Sequence, residues 1–234
     1  MALESRVHGA DLDALRRIDT CMVSNAIETF ALRLRNTGFT DARVRCMFQD
    51  LPPVVGYAAT ARLRTFEPPI AGVLHYDRAG WLQSILRVPA PRIVVLEDTD
   101  KPPGIGAFLG DTHAAILQAL GCVGFVTDGA VRELPRVRAL GLQAFAGNVS
   151  VSRAYAHIYD FSAVVRVGGL EVRPGDLLHG DSHGVLTIPL EIASEIPAVA
   201  ARLQKAEQKI IDFCQSPEFS LEKLSRILKE SSYG

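Results

Sequence analysis

The sequence predicts an α/β fold that ends in a helical C-terminal extension. Two observations predict it. Short apolar runs, at 92–97 and 123–127, alternate with helical patterns of about ten residues. Beyond residue 190, apolar residues recur every three or four positions instead. The composition is that of a globular protein: 234 residues, 48% apolar and 22% charged. Such a chain buries a sizeable core without staples. We divide it into an α/β domain over 1–190 and an extension over 191–234 that is not an independent domain.

Residues 11–36 read as one helix, with Leu12, Leu15, Ile18, Met22, Ile27 and Ala31 on one face and Asp11 as the expected N-cap. The break at 51–56 leads into a strand over 57–65. There Ala59, Ala61 and Leu63 alternate with Thr60, Arg62 and Arg64, the pattern of a half-buried strand. Residues 76–88 read as a helix and 92–97 as a buried strand. A Gly- and Pro-rich loop over 98–110 follows. A helix over 112–120 stops at Gly121, before a buried strand at 123–127. The turn at Asp128 and Gly129 precedes a helix near 133–140. Strands are expected at 142–146, 163–167 and 184–188, with a turn at 174–176. In the extension, Ile192, Ile196, Val199, Leu203, Ala206, Ile210 and Phe213 form a seam on a long helix, which Pro197 kinks or restarts. The seam packs either on its own domain or on a second subunit.

Charge and motif content exclude several functions. Lys plus Arg is 25 and Asp plus Glu is 26, a net charge of −1. This gives no basic excess for general nucleic-acid binding. No apolar run reaches the roughly 18–20 residues that span a bilayer, and the N-terminus lacks a signal-peptide core. The four cysteines are irregularly spaced, with no CxxC pair. We expect reduced thiols in a cytoplasmic protein without a zinc site. Gly104, Gly106 and Gly110 miss the GxGxxG spacing by one residue, which weakens a dinucleotide or methyl-donor reading. No P-loop, GxSxG elbow or HExxH is present. His179 and His183 lie four apart, but on a turn-to-strand segment where that spacing does not converge on a metal.

The informative stretch is 110–133, GDTHAAILQALGCVGFVTDGAVRE. Gly110, Asp111, Thr112 and His113 open a helix, whose first amides are unsatisfied and can hold a carboxylate. Asp111 or Thr112 can equally serve as a plain N-cap. Arg132 and Glu133 follow the carboxyl end of a buried strand, where ligand sites of open α/β sheets lie. Arg132 offers a planar fork for a carboxylate, and Glu133 an oxygen of the kind hard cations take. The two also fit an exposed ion pair at a helix start.

Asp111 and Arg132 are separated by twenty residues, and an acid follows the arginine. This resembles the Asp-x20-Arg-Asp pattern of the family that includes 4-hydroxy-4-methyl-2-oxoglutarate aldolase and the regulator of ribonuclease E activity A. Three other stretches are similar to the same family: VVGYAATAR (54–62), GCVGFVTDGAVRE (121–133) and VRPGDLLHGDSHGVLTIP (172–189). The resemblance covers about 13–190. Glu133 departs from the family's more usual Asp, and the longer arm moves a bound metal or makes the backbone retreat. Ser24, Asn25 and Ala26 stand where members often have an Asp-Ala pair, and His113 where a less polar residue is expected.

The resemblance implies a swivelling β/β/α-type domain with a mixed sheet, assembled as a homotrimer or homohexamer with the site at a subunit interface. It implies retro-aldol cleavage of a 4-hydroxy-2-oxo acid to pyruvate and a second oxo acid, with oxaloacetate decarboxylation as a second activity that many members show. The cofactor it implies is Mg²⁺ or Mn²⁺, on Glu133 directly and on Asp111 through water. Arg132 would stabilise the enolate, and the amides of Gly110, Asp111, Thr112 and His113 would grip the small 2-oxo acid. An acid of a neighbouring subunit completes the family's site, and Glu207 is a candidate counterpart. The alternative is a non-catalytic ring that modulates another enzyme by protein contact. A small-molecule methyltransferase is disfavoured by the failed glycine motif. No lysine lies within 110–133, which disfavours a Schiff-base aldolase.

Overall fold

The computed structural model describes residues 7–69 and 78–230. In chain order the strands are Arg45–Cys46 (β1), Val54–Arg64 (β2), Arg92–Asp98 (β3), Ala107–Leu109 (β4), Cys122–Thr127 (β5), Ala130–Val131 (β6), Gln143–Ala146 (β7), Asn148–Val149 (β8), His157–Phe161 (β9), Val165–Val167 (β10), Leu170–Val172 (β11), Leu177–Asp181 (β12) and Gly184–Ile188 (β13). The helices are Gly9–Leu15 (α1), Thr20–Glu28 (α2), Arg78–Arg87 (α3), Asp111–Ala119 (α4), Leu134–Leu140 (α5), Ile196–Cys214 (α6) and Leu221–Glu230 (α7).

The main sheet is mixed. Its parallel part runs β7-β5-β3-β2 in space. β1 pairs antiparallel with β7 at one side, and the β12–β13 hairpin and β9 pair antiparallel with β2 at the other. A second, three-stranded parallel sheet is formed by β4, β6 and β8. Trp81 and Ile85 of α3, Leu117 of α4 and Val137 of α5 cover the parallel strands in one cluster. A second cluster packs α1, α2 and α6 on Val55, Tyr57, Leu177 and Leu186. The β10–β11 hairpin seals a third, around Val95, Val126 and Phe145. Each fully buried large side chain contributes roughly 1.5–3 kcal/mol. This is the expected α/β architecture with a helical C-terminal extension.

Several elements differ from the sequence reading. The helix expected over 11–36 is two helices, and α2 ends at Glu28. Asp19 breaks it: its carboxylate accepts from Met22 N at 2.8 Å and caps α2. The N-cap of α1 is His8, and Asp11 lies in the first turn without a capping bond. Most of β2 is buried on both faces, because Ala59, Ala61 and Leu63 lie in the cluster with α3 and α4 while Ala58 lies in the cluster that the β10–β11 hairpin seals. Only Arg62 and Arg64 break that pattern near its end. The loop expected over 98–110 contains β4. Of the two outcomes expected at Pro197, a kink or a restart, the structure shows the restart: it stands in the first turn of α6, where its missing N–H costs nothing. The helix expected over 76–88 is described from Arg78, and residues 76–77 lie outside the described residues. The seam packs its first half on its own domain: Ile192, Ile196 and Ala200 are buried, and Val199 and Leu203 pack against them.

Candidate active site

β5 and β6 deliver the chain to Arg132 and Glu133, and β4 delivers it to Gly110 and Asp111. β4 and β6 are hydrogen-bonded neighbours, and Arg132 N donates to Leu109 O at 2.9 Å. Sheet pairing therefore brings together two segments that are twenty residues apart in sequence.

Glu133 adopts a left-handed backbone, φ 56°, where α5 begins. From there its side chain turns back onto the start of α4. Oε2 accepts from Asp111 N at 3.0 Å, and Oε1 accepts from Arg132 Nη2 at 2.7 Å. Gly110 makes room for it: a Cβ there would stand 2.4 Å from Glu133 Oε2. The longer arm of glutamate is thus accommodated by a rare backbone conformation and an absent side chain.

This alters the expected anion site. Glu133 fills the Asp111 amide, and Asp111 Oδ1 takes the Thr112 amide at 2.6 Å. Of the four amides expected to grip a ligand, those of Gly110, Asp111, Thr112 and His113, two are therefore occupied by the protein's own carboxylates: Asp111 and Thr112. Asp111 Oδ2 also accepts from Arg136 Nη1 at 3.3 Å. The Thr112 amide first, with Glu133, Arg136 and the Thr112 hydroxyl adding to it, holds Asp111 below the usual carboxylate range.

His113 is half-buried, with its ring tilted on Phe108 at 4.6 Å. Burial, then the charges of Arg153, Arg78 and Arg132, hold its pKa below the ordinary 6.5, so the ring is neutral at pH 7. Arg132 Nη1 reaches Val151 O at 3.5 Å, which leaves the guanidinium with spare donors. A cavity of about 560 Å³ opens here, lined by Arg132, Glu133, Pro135, Val149, Ser150 and Val151 among others. Glu207 accepts from Asn25 Nδ2 at 3.4 Å within the same chain.

Glu133 and Asp111 are an oxygen-only donor pair beside an open cavity, and Glu133 Oε1, Glu133 Oε2 and Asp111 Oδ2 each keep a spare lone pair, while Asp111 Oδ1 accepts from both the amide and the hydroxyl of Thr112. That suits a hard divalent cation held mostly by water. Among the described residues no group of three or more His, Cys, Asp or Glu is placed to hold a metal. This chain would therefore supply at most the two carboxylates. His179 and His183 do not converge: His179 is fully buried between Thr20 and Leu15, and His183 pairs with Asp181.

Sequence reading missed Arg136 and Arg153. Arg136 lies in the first turn of α5, four residues after Arg132, a weak signal on its own. Arg153 lies in an exposed stretch whose position only the fold reveals.

The profile of the RraA-like family, described as Aldolase/RraA, matches residues 20–187. The chain belongs to the RraA-like family. A Halalkalibacterium halodurans protein named "Putative 4-hydroxy-4-methyl-2-oxoglutarate aldolase" is 33% identical over 107 residues, 45% of this chain and 48% of that protein. An uncharacterized Methanocaldococcus jannaschii protein is 27% identical over 138 residues, 58% of this chain and 66% of that protein. The match thus spans about half of the first relative and just under two thirds of the second. Among solved structures, an uncharacterized Pseudomonas syringae protein superposes with a TM-score of 0.73 at 20% identity, over 97% of this chain and 98% of that one. A Streptomyces coelicolor structure, described as an unusual member of the RNase ES inhibitor RraA protein family, gives 0.66 at 24% identity, over 87% and 96%. At these identities the structural likeness concerns the fold. Among the described residues no helix is long and apolar enough to cross a membrane.

Proposed function

We propose that this chain is a lyase that cleaves 4-hydroxy-2-oxo acids to pyruvate and a second oxo acid. One observation carries the reading: Arg132, Glu133 and Asp111 meet at the start of α4, beside an open cavity. The name of the Halalkalibacterium relative supports the same class.

In the retro-aldol step the 4-hydroxyl loses its proton and the C3–C4 bond breaks. The second oxo group forms at C4, the electron pair passes to the C2 oxygen as pyruvate enolate, and a proton is taken up at C3. Arg132 faces the oxygen charge that develops, and its spare donors strengthen there as the enolate forms. Glu133 holds that guanidinium through Oε1. Asp111, kept ionised, orients a water toward the 4-hydroxyl. A divalent cation, Mg²⁺ or Mn²⁺, on Glu133 directly and on Asp111 through water, would supply Lewis-acid stabilisation of the enolate oxygen. Decarboxylation of oxaloacetate leaves the same enolate and belongs to the same proposal. So does assembly as a trimer or hexamer, with Glu207 reaching a neighbouring site.

The test is pyruvate release, read by a coupled assay on oxaloacetate and 4-hydroxy-2-oxo acids with Mg²⁺, Mn²⁺ or a chelator. We expect metal-dependent pyruvate, and a fall of about 100-fold or more in Arg132→Ala with unchanged circular dichroism. Wild-type rates in that variant would remove the role given to Arg132. No pyruvate from any substrate would favour a non-catalytic ring that acts by protein contact.

A further inference from the structure

Asp98 and Asp128 belong to none of the roles assigned so far. They stand at the carboxyl ends of two adjacent parallel strands, β3 and β5. Asp98 is buried and Asp128 half-buried. Each carboxylate fastens backbone. Asp128 Oδ1 accepts from Asp98 N at 2.9 Å. Asp98 Oδ1 accepts from Asp100 N at 3.1 Å, and its Oδ2 accepts from Gly104 N at 2.7 Å. The chain crowds together here: a Cβ on Gly129 would stand 2.9 Å from Asp98 Oδ2, and one on Gly147 would stand 2.2 Å from Asp128 O. The end of β5 thus holds the end of β3, and Asp98 holds the loop over 98–106.

That loop borders the candidate site. It runs into β4, which delivers Gly110. Gly104 O accepts from Asn148 Nδ2 at 3.0 Å, and Ile105 O accepts from Ser150 Oγ at 2.8 Å. Ser150 lines the cavity together with Arg132 and Glu133. The charged groups that act on Asp128 are both acids, Asp98 and Glu97. Asp98 also faces Asp100. The cations nearby are engaged elsewhere: Arg62 pairs with Glu97 and Asp160, and Arg43, on which Asp128 is the last of several influences, pairs with Asp41. Burial first, with the charges of Asp98 and Glu97 adding to it, pushes Asp128 up to about 6 against the pull of the Asp98 amide. Burial raises Asp98 as well.

We propose that Asp128 is a proton-operated latch: one proton taken up on its carboxylate locks the end of β5 to the end of β3 and, through Asp98, the loop 98–106 beside the candidate site. The proton goes to Oδ2, because Oδ1 keeps the Asp98 amide. It removes the repulsion between two carboxylates and the cost of a half-dehydrated charge. Ionised, Asp128 is better solvated when the strand ends part, so the loop opens more often. The latched form holds its proton up to about pH 6, whereas an open, hydrated Asp128 releases it near 3.8. Latching therefore strengthens as pH falls through 6 and is complete below 3.8. The inference does not depend on which reaction the site performs.

The test is hydrogen exchange of 98–109 in the whole chain, read by mass spectrometry at about pH 5 and 7.5 and corrected for the intrinsic rate. Wild-type protection is expected to be about tenfold lower at the higher pH. Asp128→Asn keeps an acceptor for the Asp98 amide, and its NH₂ stands in for the O–H of the acid. It should hold the same protection at both pH values, within about twofold. The difference between the two chains isolates Asp128 from every titration they share. Equal wild-type protection at the two pH values, or the same tenfold fall in the variant, would overturn the proposal. If Asp128→Asn does not fold, the wild-type chain still decides by ¹³C NMR of the Asp128 carboxyl carbon. A midpoint at about 6, followed by the Gly104 amide, is expected. A midpoint near 3.8, or a Gly104 amide that does not follow it, would overturn the latch.

Discussion

Glu133 combines three duties in one side chain. It caps α4 at Asp111 N, pairs with Arg132, and offers the oxygen that a hard cation would take. A carboxylate beside the positive end of a helix stabilises it by about 0.3–1 kcal/mol. Glu133→Gln keeps an oxygen for the Asp111 amide but removes the charge. We expect a small loss of stability, near that figure, together with a clear rise in the Mg²⁺ concentration needed for half-maximal pyruvate release. If the metal titration is unmoved while the melting point falls, Glu133 is a cap and not a ligand. Asp111 shows the same economy, since one oxygen closes on the Thr112 amide and the other on Arg136. Arg136 is largely exposed, so this ion pair positions Asp111 more than it stabilises the fold.

At the scale of elements, α6 decides how the extension behaves. Its Ile196 and Ala200 are buried against α1 and α2, and Leu203 packs at the edge of the same cluster. Farther along, Phe213 meets Phe219 at 6.0 Å as the chain turns into α7. The seam therefore has two neighbours: the domain for its first half and α7 for its second. Leu203→Glu should place a charge against apolar surface and destabilise the chain by about 1–3 kcal/mol. A chemical-denaturation curve would read the loss. A lower particle mass in light scattering, at unchanged midpoint, would instead assign Leu203 to a subunit contact. The break between α1 and α2 was hidden because apolar spacing continues through it. The cap by Asp19 depends on a local bend that periodicity does not register.

For the whole molecule, His179 joins the β12–β13 hairpin to the N-terminal helices. Its Nε2 lies 3.1 Å from Leu15 O, which only accepts, so Nε2 carries the proton. Nδ1 then accepts from the Thr20 hydroxyl at 3.0 Å. Nearby, Asp181 accepts from Thr20 N at 2.8 Å. Burial, the largest cause, keeps the His179 pKa below the ordinary 6.5 and the ring neutral. The unfolded chain takes up a proton below about pH 6.5, and the folded chain resists it. The stability tied to this ring is therefore full above that pH and is lost progressively as pH falls below it. Thermal melts from pH 8 to 5 should show the decline, and His179→Gln should flatten it. A slope in the variant equal to that of the wild type would remove His179 as its source.

Much of the architecture was legible in the chain because burial writes itself into spacing. The runs that became β3 and β5, the helix that became α4, and the stop at Gly121, with φ 72°, all follow from local rules. The resemblance of the Asp111-to-Arg132 spacing to the family's pattern also flagged the residues that the fold brings together. Strands of two or three residues, such as β4, β6 and β8, carry no readable period, yet their pairing sets Gly110 beside Arg132. β12 was hidden for another reason: its His179 and Gly180 look like turn residues, but the ring is bonded in the core and Gly180 admits Phe145 at 2.7 Å of a would-be Cβ. Local preference can name an element and a candidate side chain. Which way Glu133 turns, what fills the start of α4, and where Arg153 stands depend on contacts between distant segments, and those exist only once the sheet has closed.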